Sequence, residues 1–258
     1  MTSNIENEFF INKFKNRRLD SLLVDKKLVT SRKEAVSLIM TGGVFVEEKK
    51  VDKPGKIIKL NQKISLKKYK KDWVSRGGYK LDAVLKRFKL DVKNKVCMDI
   101  GCSSGGFSDV LIKGNVKRIY AIDVGYGQFD WKLRKKKEII LLEKTNARYL
   151  TKKMITEEID LIVCDVSFIS AKKVLEPNKK FLGKKFEIIV LLKPQFEVGR
   201  KNVGKGGIVK NFKIHEDLCE NFENWIKNTF EPNFCKFIES PIKGQKGNKE
   251  FLFYFGKL

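Results

Sequence analysis

Apolar positions along the chain change texture near residue 75. Before it the runs are short. Leu19, Leu22 and Leu23 recur at helical spacing and predict a short helix. Ser31-Arg32-Lys33-Glu34 has capping-box spacing; Ala35, Leu38 and Ile39 continue it as an apolar stripe, and Gly42-Gly43 stops it. Val44-Phe45-Val46, Ile57-Ile58 and Ile64-Ser65-Leu66 are strand signals, with turns at Asp52, Pro54 and Gly55. Residues 17–66 therefore predict a small α+β module. Residues 1–16 read as a flexible polar extension. Residues 67–74 form a basic linker, with Lys67, Lys68, Lys70 and Lys71, that is either RNA-facing or merely solvated.

From residue 75 to 258, strand-like runs alternate with helical patterns. The runs are Val96 to Ile100, Ile119 to Val124, Ile139 to Leu142, Leu161 to Cys164 and Ile188 to Leu192. Leu81, Val84, Leu85 and Phe88 show the helical spacing. Such alternation predicts an α/β domain, a parallel sheet covered by helices on both faces. The tail breaks the rule: Phe234 to Ile238 and Phe251 to Phe255, joined by a Pro- and Gly-containing loop, predict an antiparallel pair at the sheet edge.

Composition narrows the partners. The formal net charge is +24, which favours polyanions, nucleic acid first and an acidic membrane surface second. Only nine of the 55 basic residues are Arg, and Lys, Asn, Ile and Phe abound, so AT-rich coding is a competing source of the charge. Five scattered cysteines and a single His give no CxxC pair and no His-ligated metal centre, so no metal is expected. Reduced core thiols imply a cytoplasmic protein. No apolar run reaches transmembrane length, and the first residues lack a signal-peptide core.

The first strand of the large domain runs into Asp99-Ile100-Gly101-Cys102-Ser103-Ser104-Gly105-Gly106-Phe107. Glycines at the carboxyl end of a strand mark a ligand edge in open α/β sheets. The spacing is GxSxGG rather than the GxGxxG of dinucleotide folds. Asp99 would repel phosphate but suits a cationic amino group, and Asp123, ending the second strand, suits ribose hydroxyls. Both favour S-adenosyl-L-methionine over NAD, against the plain alternative of a Gly-rich turn without ligand. Charges also stand at other strand ends: Asp165 after the fourth, Lys193 after the fifth and Glu250 before the last. Singly each is an ordinary exposed end; together on one edge they mark a site.

At this point the chain resembles the TlyA (haemolysin A) family, a small RNA-binding domain of the small-subunit ribosomal protein type joined to an FtsJ-like ribose 2′-O-methyltransferase. The carrying motifs are Arg18-Leu19-Asp20, Ser31-Arg32, SRGGYKL (75–81), DIGCSSGGF (99–107), DVGYGQ (123–128), DVSF (165–168), LLKPQFEVGR (191–200) and SPIKGQKGNKEF (240–251). The resemblance implies a Rossmann-like, mostly parallel seven-stranded sheet with an antiparallel edge strand. It implies a catalytic set of Lys80, Asp165, Lys193 and Glu250. A ribose hydroxyl must lose a proton as it attacks a sulfonium methyl, and a lysine is a useful base only when its pKa falls toward neutrality. Lys193 is the expected base; Lys80 positions the ribose or tunes the charge, and that division stays open here.

The same resemblance implies S-adenosyl-L-methionine contacts at Asp99, Gly101, Ser103, Gly105, Gly106, Phe107 and Asp123, with Asn146 toward the adenine. Arg18, Arg32, Lys33, Lys67, Lys68, Lys70, Lys71 and Arg76 are the expected RNA contacts. The implied reaction is 2′-O-methylation of cytidine in ribosomal RNA, on free RNA or on subunits, by a monomer that does not enter the membrane. Two other readings remain. A membrane-active haemolysin would need a long apolar or amphipathic segment, and none is found. A ribosome-assembly factor with a dead methyltransferase domain would not need the four-residue set.

Overall fold

The computed structural model describes residues 16–40, 42–66, 72–244 and 247–258. Lys67, Lys68, Lys70 and Lys71 lie outside the described residues. The chain divides into two compact units between Asp72 and Trp73.

In the first unit, β1 (Asn16–Arg18) leads into α1 (Leu19–Asp25) and α2 (Arg32–Met40), followed by β2 (Val44–Val46), β3 (Lys49–Lys50), β4 (Ile57–Lys59) and β5 (Ile64–Leu66). β1 pairs antiparallel with β4, and β2 lies between β3 and β5. Leu19, Leu22 and Leu23 of α1 and Ala35 and Ile39 of α2 close over Val44, Val46 and Ile58 to form one small core. At the start of α2 the Ser31 hydroxyl accepts the Glu34 N–H at 3.2 Å. The Glu34 carboxylate reaches one residue further back than a capping box requires, accepting from the Thr30 N–H at 2.9 Å and its hydroxyl at 2.7 Å. β1 and β3 are fully exposed strands of three and two residues. They carry no alternation, so the sequence pattern does not reveal them.

The second unit contains α3 (Gly77–Phe88), β6 (Val96–Ile100), α4 (Gly106–Lys113), β7 (Arg118–Ile122), α5 (Trp131–Arg134), β8 (Ile139–Leu142), β9 (Ile159–Cys164), α6 (Lys172–Leu175), β10 (Leu182–Leu192), α7 (Pro194–Glu197), α8 (Phe212–Phe230), β11 (Phe234–Glu239) and β12 (Phe251–Lys257). Its sheet is ordered β11-β12-β10-β9-β6-β7-β8. The run from β10 to β8 is parallel, and β12 is antiparallel to both β10 and β11. The strand that runs against the rest therefore lies one place in from the edge, with β11 outside it.

Alternate residues of each strand feed two cores. Val96, Met98 and Ile100 face one layer with Phe222, Ile226 and Phe230 of α8. Cys97, Ile119 and Leu161 face the other, with Leu81 and Val84 of α3 and Val110 and Leu111 of α4. The period of two in side-chain direction is what lets one sheet bury both faces.

α3 and α4 approach each other closely at their first residues. A Cβ on Gly106 would lie 2.2 Å from the Ser75 hydroxyl and 2.9 Å from the Gly78 nitrogen, so only glycine lets the two helix starts meet. Asp109 of α4 accepts the Val74 N–H at 2.8 Å, fixing the chain where it enters the unit. Trp73 and Val74, which the sequence places in the basic linker, pack against the α3–α4 core.

Candidate active site

Parallel strands β6, β7, β9 and β10 deliver their carboxyl ends to one edge of the sheet. β12 runs the other way, so its beginning reaches the same edge: Leu192 pairs with Phe251. This register sets Lys193, which follows β10, beside Glu250, which precedes β12. Asp165 follows β9, and its N–H donates to the Ile100 carbonyl at the end of β6, at 3.0 Å. Lys80, in the first turn of α3, reaches into the same place.

These four side chains form one continuous chain of charges. Lys80 Nζ donates to Glu250 Oε2 at 2.7 Å and lies 4.0 Å from Asp165 Oδ2. Lys193 Nζ is 2.5 Å from Asp165 Oδ1 and donates to the Ser167 hydroxyl at 2.8 Å. The order is Glu250, Lys80, Asp165, Lys193, Ser167. Glu250 is 3 % exposed, whereas Ser167 is exposed, so the chain runs from the interior toward solvent and Lys193 lies near its open end. Two amines and two carboxylates balance, which is why four charges tolerate this burial.

Residues expected at a cofactor surface separate into two groups. Asp123 is partly exposed just past β7, and its carboxylate accepts the Ser103 N–H at 2.8 Å and the Gly125 N–H at 2.6 Å. Each oxygen keeps acceptor capacity for a further donor. Ser103 is exposed with φ 47°. Gly101 has φ 81°, and a Cβ there would lie 2.7 Å from the Asp165 carbonyl oxygen; Gly105 has φ 88° against Leu133 and Phe129. The glycines of this loop thus serve its own tight packing. Asn146 caps a short 3-10 turn, its amide oxygen accepting the Arg148 N–H at 3.1 Å.

Asp99 and Phe107 belong to the second group and lie in the interior. Asp99 is fully buried within β6, and its Oδ2 accepts the Ser108 hydroxyl at 2.6 Å while Oδ1 has no partner among the described residues. Phe107 is 3 % exposed in the α3–α4 core. Strand alternation turns Asp99 inward with Cys97, and helix packing turns Phe107 inward, so neither side chain lines the open loop as expected.

Burial pushes the Asp99 carboxyl up to about 7. A carboxyl raised in the fold contributes its stability below its ordinary value of 3.8, and that contribution is lost as pH rises through about 7. Thermal unfolding measured from pH 5.5 to 8.5 should show a fall in wild-type Tm that Asp99→Asn flattens.

The expected RNA contacts of the first unit centre on one buried carboxylate. Asp20, 2 % exposed at its side chain, binds Arg18 at 2.9 Å and Arg32 at 3.0 Å, while those guanidiniums stay 50 % and 63 % exposed. One anion holds two cations side by side at the surface, and Lys33 is exposed next to Arg32. The arginines hold the Asp20 carboxyl well below the usual carboxylate range. Its stabilisation is present above pH 4 or so and lost as pH falls further. Asp20→Asn should weaken RNA binding and remove that acid limb from the unfolding of the first unit, read by circular dichroism between pH 7 and pH 3. In the second unit, the Arg76 guanidinium donates to the Lys243 carbonyl at 3.3 Å, tying α3 to the loop before β12.

Sequence reasoning missed three residues near the charge chain. Ser167 extends it, as described. Glu197 of α7 accepts the Ser170 hydroxyl at 2.6 Å and the Ala171 N–H at 2.7 Å, clamping the loop that follows Asp165 to the segment that follows Lys193. Phe168 sits between them with φ 65° and 90 % exposure, its ring 5.1 Å from that of Phe196. The DVSF and KPQFE motifs contained all three residues, but only contact distances separate them from their neighbours. Among the described residues, no helix is long and apolar enough to cross a membrane.

An open α/β sheet with glycine loop, strand-end carboxylate and a buried lysine–carboxylate chain on one edge is the architecture of a methyltransferase. Residues 73–257 match the FtsJ-like methyltransferase family and residues 17–64 the S4 domain. The chain belongs to the TlyA (haemolysin A) group of FtsJ-like methyltransferases. It is 39% identical over 244 residues to Hemolysin A of Brachyspira hyodysenteriae, spanning 92% of this chain and 99% of that protein. It is 33% identical over 263 residues to the 23S rRNA (cytidine-2′-O)-methyltransferase TlyA of Campylobacter jejuni, spanning 97% of this chain and 98% of that protein. A solved structure named "Putative hemolysin" from Streptococcus thermophilus superposes with TM-score 0.72 at 36% identity, covering 94% of this chain and 89% of that one.

Proposed function

We propose that this protein methylates the 2′-hydroxyl of a ribose, that of a cytidine, in ribosomal RNA, using S-adenosyl-L-methionine and Lys193 as base. The observation that carries the proposal is the ordered chain Glu250–Lys80–Asp165–Lys193 at the ligand edge of the sheet. The names of the Campylobacter relative and the family support the substrate and reaction class.

The residues present fit the cofactor. Its ribose diol offers two donors, and Asp123 is a strand-end carboxylate whose oxygens are oriented by two backbone N–H groups, with acceptor capacity left over. Asp123 and the 101–105 backbone would hold it, with Asn146 toward the adenine. When bound, it supplies an electrophilic methyl group on a sulfonium.

Lys193 takes the proton from the ribose hydroxyl as the oxygen becomes nucleophilic. Asp165 lies between the two lysines and orients both amines. Lys80, anchored by Glu250, places positive charge where the oxygen gains negative charge. Glu250 offsets the charge of Lys80 in the interior. The clamp by Glu197 keeps the Asp165 loop and Lys193 in register, and such positioning supplies much of the rate. Arg18, Arg32 and Lys33 of the S4 domain bind RNA phosphates.

The test uses ribosomal subunits and free ribosomal RNA from cells lacking the protein, with labelled S-adenosyl-L-methionine. Label should enter an alkali-resistant ribose position. Absence of transfer to every ribosomal substrate would refute the proposal. Calorimetry showing no cofactor binding would instead favour an RNA-binding assembly factor.

A further inference from the structure

Trp131 is 68% exposed, at the head of the run Trp131-Lys132-Leu133-Arg134-Lys135-Lys136-Lys137. A single exposed apolar residue is ordinary, but its setting here is not. Leu133 is 3 % exposed, and the Arg134 guanidinium pairs with Glu143 and donates to the Phe129 carbonyl at 3.2 Å, so these two residues anchor the turn. Asp130 caps it by accepting the Lys132 N–H at 2.8 Å. The anchoring leaves Trp131, Lys132, Lys135, Lys136 and Lys137 all facing solvent. Lys135 Nζ lies 5.3 Å from the centre of the indole ring. The turn also belongs to the ligand edge: the Asp130 N–H donates to the Ser104 carbonyl at 3.3 Å, joining it to the glycine loop.

An exposed indole on an anchored turn, amid four amines, matches one kind of partner. Nucleobases stack on aromatic faces, and phosphates take the amines; together these bind unpaired strands with little sequence preference. We propose that Trp131 and Lys132, Lys135, Lys136 and Lys137 form a second RNA-binding surface, on the methyltransferase domain itself, for an unpaired stretch of the ribosomal RNA substrate. Trp131 stacks on a base, and the lysines follow the backbone. The inference rests on the proposed reaction on ribosomal RNA.

The test is a salt titration of ribosomal RNA binding by the full chain. Single-stranded contacts give a slope near 0.7 per phosphate, so Lys135→Gln/Lys136→Gln/Lys137→Gln should lower the slope of log Kd against log salt by about 2. The charge-matched triple Lys93→Gln/Lys184→Gln/Lys185→Gln, on exposed residues before β6 and in the first half of β10, should change it far less. Trp131→Ala should weaken binding about ten-fold, with Trp131→Phe recovering most of it. The loss should appear in KM for RNA rather than in kcat, and each variant should bind S-adenosyl-L-methionine as wild type does.

Equal slopes for the two triples, or unchanged binding by Trp131→Ala, would overturn the surface while leaving the methylation reading intact. Failure of wild type to bind or methylate ribosomal RNA would overturn both. Trp131-dependent binding to phosphatidylserine vesicles, with no effect on RNA, would assign the surface to a membrane instead.

Discussion

Replacing Lys193 with Ala should lower kcat for methyl transfer by about a thousand-fold, with little change in stability. General-base removal costs about 10²–10⁴ in rate. Lys193 is the member of the charge chain whose loss disturbs the others least. Without it, Asp165 still faces Lys80 at 4.0 Å, and Ser167, its other partner, is at the surface. Lys80→Ala differs, because it strands Glu250 in the interior without a cation. Breaking such a buried pair costs about 3–5 kcal/mol, so that variant should lose both activity and fold stability. Lys193→Arg is the sharper control. A guanidinium keeps the charge but does not give up its proton, so an arginine should satisfy Asp165 and still fail as a base. Single-turnover rates at saturating RNA and cofactor, set beside Tm, separate these cases. Full activity in Lys193→Arg would show that charge alone, not proton transfer, is required.

Gly101→Ala should be the most damaging single-methyl change in the glycine loop. Its φ of 81° disfavours any side chain, and the new Cβ would meet the Asp165 carbonyl oxygen at 2.7 Å. The strand ends of β6 and β9 would have to part, carrying Asp165 away from Lys193. Strain and clash together predict a loss of about 2–4 kcal/mol and at least a ten-fold fall in kcat/KM. Gly127→Ala is the matched control. It has φ 73° and open space around the would-be Cβ, so it should lose only about 1 kcal/mol. Chemical denaturation of both variants measures the difference. Equal losses would mean that backbone conformation, rather than the approach of β9, sets the need for glycine at position 101.

Much of this arrangement was legible in the sequence, for identifiable reasons. Alternating strands and helices announced the α/β unit, and charges at the ends of apolar runs announced Asp123, Asp165, Lys193 and Glu250. Resemblance added Lys80, whose place on α3 no local pattern distinguishes from other helix lysines. Asp99 lies one residue before the end of β6, and alternation sends its side chain inward to Ser108, a direction that its place beside the glycine loop does not reveal. Phe107 is the second residue of α4, which begins at Gly106, and helix packing turns its ring into the core. The beginning of β10 has no apolar signature, because Lys184 and Lys185 are exposed there and break the run. Ser167 and Glu197 act through contacts between segments more than 25 residues apart, which a linear reading does not order.

The central claim is that the Glu250–Lys80–Asp165–Lys193 chain methylates a ribose of ribosomal RNA. Its most direct test maps 2′-O-methyl positions across the ribosomal RNA of three strains: wild type, a deletion, and the deletion carrying Lys193→Ala. The account predicts at least one methylated cytidine present in wild type and absent from the other two. An identical methylation map in all three strains would contradict it.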